Sequence, residues 1–402
     1  MARDKVVLAY SGGLDTCCCI KWLKDTYDMD VVCFSAFIGE ASDKAVLKSR
    51  AFSAGALKVV IEDLKKEFAY DFILPALMAH AVYEEKYLLA TAIGRPLIAK
   101  HLVEVAQREK AKFVAHGCTG KGNDQVRIEV GVQSLDPSLK IIAPLREWEL
   151  KSREAEIDYA KENKIKIEAT KKSPYSIDRN IWGAAIEAGI LEDPWQEAPE
   201  DAYYLTKGTV PKKSQYVEVV FLHGVPVALN GKTMNLVSLI ETLNKIAGKY
   251  KIGRTDLIEN RLVGIKSREI YEAPAACVLL EAHAELERLV FDRDFLHFKK
   301  GLSDKYSELV YYGLWFSPLK EALDSFFMRH QRLVTGKVKI KLSDRCAQVI
   351  GRQSPYSMYD TKLATYTSDD EFDHQASPGF IKLWGLPYVV SSRRDKKYDK
   401  KK

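Results

Sequence analysis

The chain has 402 residues, of which 47% are hydrophobic and 29% are charged. These proportions are ordinary for a globular protein, and the length predicts two or three domains, each with its own core. No apolar run approaches the roughly 18 residues that a membrane span requires, and the N-terminus lacks the long apolar segment of a signal peptide. We therefore expect a cytoplasmic protein with no membrane partner.

The net charge of +6 is distributed unevenly along the chain. The last ten residues, Arg393 to Lys402, carry seven basic and two acidic side chains, which leaves only +1 for all the other residues. A basic tail on a nearly neutral body is typical of a solvated chain end. The charge distribution therefore argues against a nucleic-acid partner.

The seven cysteines do not form a metal-binding or redox pattern. Cys17, Cys18 and Cys19 are consecutive, so on a helix their side chains point in different directions and cannot ligate one metal together. No CxxC pair occurs. We expect reduced cysteines that are mostly buried as small apolar side chains.

The first 165 residues alternate between short apolar runs rich in β-branched residues and helical patterns. The predicted strands are Val6–Tyr10, Asp30–Ala36, Leu57–Glu62, Phe113–His116 and Lys140–Pro144. The predicted helices are Asp15–Tyr27, Lys44–Ala54, Ala69–Gln107, which Pro75 and Pro96 are expected to break, and Arg153–Asn163. This alternation predicts an α/β fold with a parallel, doubly wound sheet. In such sheets, ligands bind beyond the carboxyl ends of the strands.

The pattern changes after Ser173-Pro174 to that of an α+β unit. Its predicted strands are Lys212–Leu222 and Val334–Leu342, and its predicted helices are Leu236–Tyr250 and Ser317–Arg332. From about Gly379 an apolar stretch follows that would be poorly buried alone, which predicts docking on a partner subunit. We place the domains at 1–168, 169–365 and 366–402, with the first boundary within 165–175.

The segment Ser11-Gly12-Gly13-Leu14-Asp15-Thr16 lies between the first predicted strand and the first predicted helix. Two glycines allow several N–H groups to converge on one anion, and the start of the helix adds free N–H groups and a positive dipole end. Ser11 and Thr16 can donate hydroxyl hydrogen bonds, and Asp15 suits Mg²⁺. The alternative, a plain glycine turn, is less favoured at this place in an α/β pattern.

A second glycine-rich segment, His116 to Arg127, follows another predicted strand. It can recognise a zwitterion, with Thr119 and Asn123 for a carboxylate, Asp124 for an ammonium and Arg127 for a planar oxygen-rich group. A surface loop is the competing interpretation. The functional interpretation requires that both glycine-bearing turns meet at one edge of the sheet.

The first loop resembles the pyrophosphate loop of the adenine-nucleotide α-hydrolase superfamily, in which ATP is cleaved between its α and β phosphates. The whole chain resembles the argininosuccinate synthase family. The matching segments are AYSGGLDT at 9–16, YLLATAIGRPLIAK at 87–100, HGCTGKGNDQVR at 116–127, IIAPLREWELKSRE at 141–154, TKKSPYSID at 170–178, ENRLVGIKSR at 259–268, ELVYYGLWFSP at 308–318 and GFIKLWGLP at 379–387. This resemblance implies a HUP-like nucleotide-binding domain, a synthetase and oligomerisation domain, and a C-terminal arm in a homotetramer.

The resemblance also implies which residues hold the substrates. Those expected around ATP are Ala9, Tyr10, Ser11, Gly12, Gly13, Leu14, Asp15, Thr16, Cys17, Ala36 and Gly117. Those expected around aspartate are Thr91, Thr119, Asn123 and Asp124, and those around citrulline are Tyr87, Ala92, Asn123, Arg127, Ser176, Ala185, Glu259 and Tyr271. We assign catalytic roles to Asp15, Arg95 and Asp124, with Asp15 as a possible Mg²⁺ ligand.

The implied reaction belongs to arginine biosynthesis and the urea cycle. The ureido oxygen of citrulline attacks the α-phosphorus of ATP, and the aspartate amine then displaces AMP. No protein nucleophile is needed, and the sequence offers no Ser/His/Asp or Cys/His constellation. The protein therefore only has to position the substrates and stabilise the charge on the phosphates. Asp124 is a conceivable general base for the aspartate amine, and a role in holding the ammonium is equally supported.

The chain departs from the family pattern at several positions. Cys17 and Ala185 replace serines, Phe37-Ile38-Gly39-Glu40 replaces a more polar run, Glu269 replaces a glycine, and Ala275 and Ala276 replace two more. We expect a weakened citrulline site, strain if the former glycine positions need positive φ, and unfavourable charge from Glu40. These departures leave two alternatives open: a related ligase for another ureido or guanidino acceptor, and a weakly active ATP-binding paralogue.

Overall fold

The computed structural model describes residues 3–39, 43–166 and 175–400. The chain divides into two compact units, one ending at Tyr356 and the other beginning at Ser357. Most of the expected boundary region at 165–175 lies outside the described residues. The division into 1–168, 169–365 and 366–402 therefore stays a prediction.

Five parallel strands form the first sheet. They are β1 (Lys5–Ala9), β2 (Asp30–Phe37), β3 (Lys58–Asp63), β4 (Phe113–His116) and β5 (Lys140–Ile142), in the order β3-β2-β1-β4-β5. Val6, Val7 and Leu8 of β1 are fully buried, as expected for a central strand with helices on both faces. The strand order reverses between β1 and β4, and such a switch point is where doubly wound sheets bind ligands. The α/β prediction is confirmed.

The helices of this part are α1 (Leu14–Tyr27), α2 (Lys44–Ser53), α3 (Lys65–Glu67), α4 (Leu74–Met78), α5 (Gly94–Glu109), α6 (Asn123–Leu135), α7 (Pro144–Glu147) and α8 (Arg153–Glu162), with a π-helical turn at Phe68–Ile73. The prediction of helix over Ala69–Gln107 is wrong for 79–93, which is irregular. Pro75 and Pro96 lie in the first turns of α4 and α5, where a helix tolerates proline. The break therefore falls between the two prolines.

The second half of the larger unit is α+β, as predicted. It contains β6 (Ser176–Arg179), β7 (Ala184–Glu187), β8 (Gln215–Leu222), β9 (Val225–Leu229), β10 (Lys232–Thr233), β11 (Arg254–Asn260), β12 (Lys266–Glu272), β13 (Gly336–Ser343) and β14 (Cys346–Gln353). Its helices are α9 (Leu236–Gly248), α10 (Pro274–Val290), α11 (Arg293–Tyr311) and α12 (Pro318–His330), and 3₁₀ turns lie at Gly189–Glu192 and Gln331–Leu333. The strands form two antiparallel sheets, β10-β9-β8-β13-β14 and β11-β12-β7-β6.

The unit from Ser357 onward contains three helices, α13 (Thr361–Ala364), α14 (Ala376–Trp384) and α15 (Leu386–Asp399). Within it, Phe380, Ile381, Leu383 and Trp384 are each more than 60% exposed. An apolar run that its own unit leaves uncovered is the observation on which the predicted docking on a partner subunit depends. None of the described helices is long and apolar enough to cross a membrane.

Buried polar side chains form a continuous chain between the segment after α4 and helices α10 and α11. His80 Nε2 lies 3.0 Å from His283 Nδ1, and His283 Nε2 lies 2.8 Å from Gln331 Oε1. Lys299 Nζ donates to Glu287 Oε2 at 2.6 Å. Although the ligand atoms of His80, His283 and Glu287 lie within 4.8 Å of one another, the Lys299 cation already neutralises Glu287, and we interpret the cluster as a closed hydrogen-bond chain.

This buried hydrogen-bond chain makes the stability of the fold depend on pH. Burial lowers the pKa of both histidines, and for His80 the nearby Lys299 cation lowers it further. The folded protein therefore binds fewer protons here than the unfolded chain, whose histidines titrate near pH 6.5. The contribution of these histidines to the free energy of unfolding is therefore complete above about pH 6.5. It decreases as the pH falls below that value, by at most about 1.4 kcal/mol per pH unit for each proton.

We expect His80→Asn to reduce the pH dependence of unfolding. The asparagine amide can still donate to His283 but binds no proton, so the drop in Tm between pH 7 and pH 5.5 should be smaller than in the wild type. Thermal melts at both pH values measure this drop. His297→Asn, which changes an exposed histidine of α11, is the control and should behave as the wild type. Equal drops in His80→Asn and the wild type would contradict the prediction.

Candidate active site

The first glycine loop is built as an anion site between β1 and α1. Gly13 caps α1 without a side-chain hydrogen bond, so the first N–H groups of the helix remain free. Gly12 has φ +81°, which an L-residue with a side chain rarely adopts. Ser11 Oγ lies 3.1 Å from Thr16 Oγ1 and accepts a hydrogen bond from Gly13 N at 3.3 Å. Both hydroxyls therefore lie beside the free helix end.

The second glycine loop meets the first one. Parallel pairing sets Ala9 of β1 opposite His116 of β4, so both loops leave the sheet at the same level. A Cβ built on Gly117 would lie 3.0 Å from Thr16 Cγ2. The required convergence of the two turns at one sheet edge is therefore confirmed. Ala36 is the residue before the last of β2 and lies at the same edge, since β2 pairs in parallel with β1.

Cys17 is a buried residue of α1 that packs next to the first loop. It is fully buried, with its Sγ 3.4 Å from Tyr10 Oη, and Tyr10 Oη donates to Leu47 O at 3.3 Å. Burial raises the pKa of Cys17, so the thiol stays protonated. Cys18, Cys19 and Cys33 are also fully buried, in agreement with the predicted role of the cysteines as packing residues.

Asp15, in the first turn of α1, has a carboxyl partner that the sequence did not indicate. The Glu156 side chain of α8 forms a hydrogen bond with Asp15. Burial and then Asp15 raise the pKa of Glu156 to about 8. Glu156 therefore keeps its proton at neutral pH, close to the anion-binding helix end.

The second loop is shaped by a network of polar side chains. Cys118 N donates to His116 Nδ1 at 3.2 Å, and His116 Nε2 lies 2.9 Å from Glu129 Oε1. Gln125 Nε2 donates to Gly120 O at 2.6 Å, and Arg146 donates to Gln125 Oε1 at 3.0 Å. Thr119 lies exposed in this loop, which leaves its hydroxyl available to a ligand.

Two arginines surround Asp124. Arg95 Nη2 donates to Asp124 Oδ2 at 2.6 Å and also to Asp178, and Arg127 Nη1 donates to Asp124 Oδ1 at 3.0 Å. Burial alone would raise the pKa of Asp124, but the two guanidinium groups outweigh burial and hold it well below its ordinary value. A carboxylate with such a low pKa is a weak base. The general-base role left open for Asp124 is therefore not supported.

The four-stranded sheet β11-β12-β7-β6 gathers expected citrulline residues on one face. Tyr271 lies opposite Ala185, and Ala185 opposite Asp178. Ser176 lies opposite Glu187, and Glu259 opposite Ser267. Residues directly opposite, or two apart along a strand, point to the same face. We call the surface formed by Ser176, Asp178, Ala185, Glu187, Glu259, Ser267, Glu269 and Tyr271 the acceptor face.

Aromatic side chains connect the acceptor face to the second loop. Glu259 accepts hydrogen bonds from Tyr271 Oη at 2.5 Å and Tyr311 Oη at 2.7 Å. Asn123 Nδ2 donates to Tyr311 Oη at 2.8 Å, and the Tyr87 and Tyr271 rings stack with centroids 3.9 Å apart. Tyr311 was not among the expected site residues, although it lies within the matching segment 308–318.

Tyr87 also contacts Thr91, which is expected to bind aspartate, and Ala92, which is expected to lie near citrulline. Its hydroxyl lies 2.7 Å from Thr91 Oγ1 and accepts hydrogen bonds from Thr91 N and Ala92 N. The placement of Tyr87 on a helix is wrong, because it lies in the irregular segment 79–93. In this segment His80, Glu84, Glu85 and Leu89 have positive φ, a strained arrangement that is typical of functional sites.

Two buried polar atoms near the acceptor face have no partner. Among the described residues, Arg127 Nη2 and Ser267 Oγ are the buried side-chain nitrogen and oxygen atoms without a hydrogen bond. Arg127 is 4% exposed, and its Nε donates to Tyr311 O at 2.9 Å. An unpaired buried guanidinium nitrogen is costly, and a ligand carboxylate would satisfy it.

The expected strain at former glycine positions is absent. Glu269 lies within β12, Ala275 and Ala276 lie in the first turn of α10, and none of the three has positive φ. The prediction of strain at these positions is therefore wrong. Ala185 does remove a hydroxyl from the acceptor face, as expected, and Glu40 lies outside the described residues.

Two family models match nearly the whole chain. The arginosuccinate synthase N-terminal HUP domain matches residues 5–166, and the arginosuccinate synthase C-terminal domain matches residues 175–391. The chain belongs to the argininosuccinate synthase family. It is therefore a member of a ligase family, with a HUP-type domain first.

Similar proteins cover the chain from end to end. The argininosuccinate synthase of Dictyoglomus turgidum is 58% identical over 386 residues, covering 96% of this chain and 97% of that protein. The argininosuccinate synthase of Symbiobacterium thermophilum is 56% identical over 394 residues, covering 97% and 98%. The argininosuccinate synthase of Streptococcus thermophilus is 52% identical over 402 residues, covering all of both chains.

We expect Gly12→Ala to weaken ATP binding about 5- to 30-fold. The added Cβ would lie 2.1 Å from Leu47 Cδ2, and the positive φ costs a side-chain-bearing residue about 1–2 kcal/mol, so the loop should leave its anion-binding conformation. Titration calorimetry with ATP measures the affinity.

Gly208→Ala is the matched control for this variant. Gly208 also has positive φ, +105°, but a Cβ there would meet nothing within 4 Å. It should lower Tm slightly and leave ATP affinity unchanged. An ATP Kd of Gly12→Ala within twofold of the wild-type value would contradict the expectation.

Proposed function

We propose that this protein joins citrulline and aspartate at the expense of ATP, through a citrullyl-AMP intermediate, and releases AMP and pyrophosphate. The observation that carries the proposal is that the two glycine loops leave one sheet edge side by side, and that hydrogen bonds run from Asn123 in the second loop through Tyr311 to Glu259 and Tyr271. The names of relatives at 52–58% identity over nearly the whole chain support the same reaction. Positioning by these contacts is sufficient, because the reaction needs no protein nucleophile.

In the first step, the ureido oxygen of citrulline forms a bond to the α-phosphorus of ATP, and the bond from that phosphorus to pyrophosphate breaks. Free N–H groups at the start of α1 and the hydroxyls of Ser11 and Thr16 stabilise the phosphate charge. The orphaned Arg127 Nη2 binds the citrulline carboxylate, and the acceptor face holds the rest of the molecule. Glu259, fixed by two tyrosine hydroxyls, is the anion that faces the citrulline ammonium.

In the second step, the aspartate nitrogen forms a bond to the ureido carbon, and AMP leaves with the former ureido oxygen. Thr91, Thr119 and Asn123 lie along the second loop and the strained segment, where they hold the aspartate. Asp124 acts as a permanent anion, because Arg95 and Arg127 keep it ionised. Its role is to orient ammonium and guanidinium groups, and Arg95 extends this arrangement to Asp178.

A Mg²⁺ ion fits the carboxyl pair beside the phosphate loop. Asp15 and Glu156 supply oxygen atoms, which Mg²⁺ prefers, next to the helix end that binds phosphate. When bound, Mg²⁺ supplies charge neutralisation for the pyrophosphate. Because the pKa of Glu156 is raised to about 8, Glu156 would have to lose its proton to serve as a ligand.

The proposal also covers the cellular location, the pathway and the oligomeric state of the protein. We place the protein in the cytoplasm, in arginine biosynthesis, as a homotetramer. The exposed apolar residues of α14 support the assembly, because this surface is uncovered within its own unit. A second candidate function, ligation of a different ureido or guanidino acceptor, is favoured only by Ala185, which lacks the hydroxyl expected at that position.

Continued pyrophosphate release over many turnovers should require all three substrates, because aspartate must react with the citrullyl-AMP that the first step forms. Purified protein with ATP, aspartate and citrulline should release pyrophosphate at an ordinary enzymatic rate, and omission of citrulline should abolish the signal. A panel of ureido and guanidino compounds in place of citrulline serves as the specificity control. Absence of a citrulline-dependent signal at millimolar substrate would refute the proposal, and preference for another compound would favour the second candidate.

We expect Arg127→Lys to raise the KM for citrulline about 10- to 100-fold. Lysine loses the planar fork whose free Nη2 is available to a carboxylate, and hydrogen bonds to charged groups contribute about 1.5–3 kcal/mol. Steady-state kinetics measure the change, and the KM for ATP should change little. Arg108→Lys, at an exposed position of α5, is the control. A KM for citrulline equal to that of the control would contradict the role of Arg127.

A further inference from the structure

The turn between β11 and β12 touches the second glycine loop at two points. Arg261 Nη1 donates to Lys121 O at 3.3 Å, and Leu262 N donates to Asn123 Oδ1 at 2.9 Å. The turn itself is closed by Arg261 N donating to Ile265 O at 2.9 Å. The position of the loop backbone at 121–123 therefore depends on a turn more than 130 residues away in sequence.

Arg261 is held in place by two carboxyl groups of the acceptor face. Its Nη2 donates to Glu187 Oε2 at 2.7 Å and to Glu269 Oε1 at 2.5 Å. The Arg261 side chain is only 15% exposed and that of Glu269 only 6%. A guanidinium group has a rigid planar fork, so fixing one side of the fork on β7 and β12 also aims the other side at Lys121 O.

We infer that Arg261, held by Glu187 and Glu269, is a positioning residue that fixes the glycine-rich loop 117–122 and Asn123 for binding of the amino-acid substrates. This inference rests on the proposed function and deepens it. Arg261 acts through the backbone of the loop and through Asn123, and it is not assigned a contact with the reacting atoms. Neither Arg261, Glu187 nor Glu269 was among the expected site residues.

The ionisation state of Glu269 affects how strongly it binds Arg261. Burial, then Glu187 and Glu259, raise the pKa of Glu269 to about 8, while Arg261 acts in the opposite direction. The groups that face Glu269 are Glu187 on β7, Glu259 on β11, Arg261 in the turn and Tyr271 on its own strand. Below about pH 8 Glu269 is largely a neutral acid that still accepts from Arg261. Above it, the carboxylate attracts the guanidinium more strongly, and the loop is held more firmly.

Hydrogen–deuterium exchange without substrates tests directly whether Arg261 fixes the loop 117–122 and Asn123. In Arg261→Lys and Glu187→Gln at pH 7, and in Glu269→Gln at pH 9, where wild-type Glu269 is ionised, the peptide covering 117–123 should exchange several-fold faster than in the wild type. Glu187 is 44% exposed in its side chain, so its substitution keeps the fold. Arg268→Lys is the matched control, since Arg268 is the neighbouring arginine on β12, points to the opposite face and pairs with Asp256. Exchange of this peptide at the wild-type rate in all three variants would overturn the inference.

Steady-state kinetics distinguish positioning from general stabilisation. The KM values for aspartate and citrulline should rise about five- to tenfold in Glu187→Gln, and by a similar factor in Glu269→Gln at pH 9 but not at pH 7, with a smaller change for ATP. Between pH 7 and pH 9 the wild-type KM for aspartate should fall relative to that of Glu269→Gln, which cannot ionise. A pH profile that is parallel in both proteins would overturn the role of Glu269. If the wild type releases no pyrophosphate but the exchange result holds, the proposed function fails and the positioning by Arg261 stands.

Discussion

The pairing of β1 with β4 is the constraint on which the site depends. Both strands are parallel and end at the same level, with Ala9 opposite His116. Two loops that are separated by about a hundred residues in sequence therefore leave the sheet side by side. The glycines matter because of this proximity, since a side chain on Gly117 would press against Thr16. In the proposed reaction, the nucleotide and the amino acid can lie close together because both loops have glycines, which carry no side chain, where they approach each other.

The rest of the site is built from clusters of arginine and carboxyl side chains, in which the arginines are buried or nearly buried and some of the carboxyl groups are partly exposed. Arg95, Arg127, Asp124 and Asp178 form one group, and Arg261, Glu187 and Glu269 form another. Buried ion pairs contribute little net stability, because desolvation offsets their attraction, but removing one partner is costly. Their effect here is geometric. They hold guanidinium groups in fixed orientations, and in the proposed reaction a zwitterionic substrate would meet matching charges there.

The sequence was informative wherever the decisive contacts are local. Alternating apolar runs predicted the parallel sheet, and glycines directly after strands predicted both loops. The irregular segment 79–93 was missed because its apolar residues continue the helical pattern, while four positive φ angles interrupt the helix. Tyr311, Arg261 and Glu156 were missed because their partners lie between 52 and 188 residues away or in another helix. No sequence pattern short of a strand register could have placed Glu269 beside Arg261.

Tyr87 links the two parts of the site that are expected to hold the two amino acids. Its ring stacks on Tyr271 and its hydroxyl contacts Ala92, both expected around citrulline, and the same hydroxyl contacts Thr91, which is expected around aspartate. A shift of Tyr87 on binding of either amino acid would therefore reach the other part of the site. Thermodynamic reciprocity then requires that citrulline change the affinity for aspartate by the same factor as aspartate changes that for citrulline. We therefore expect any coupling between the two amino-acid sites to pass through the Tyr87 side chain.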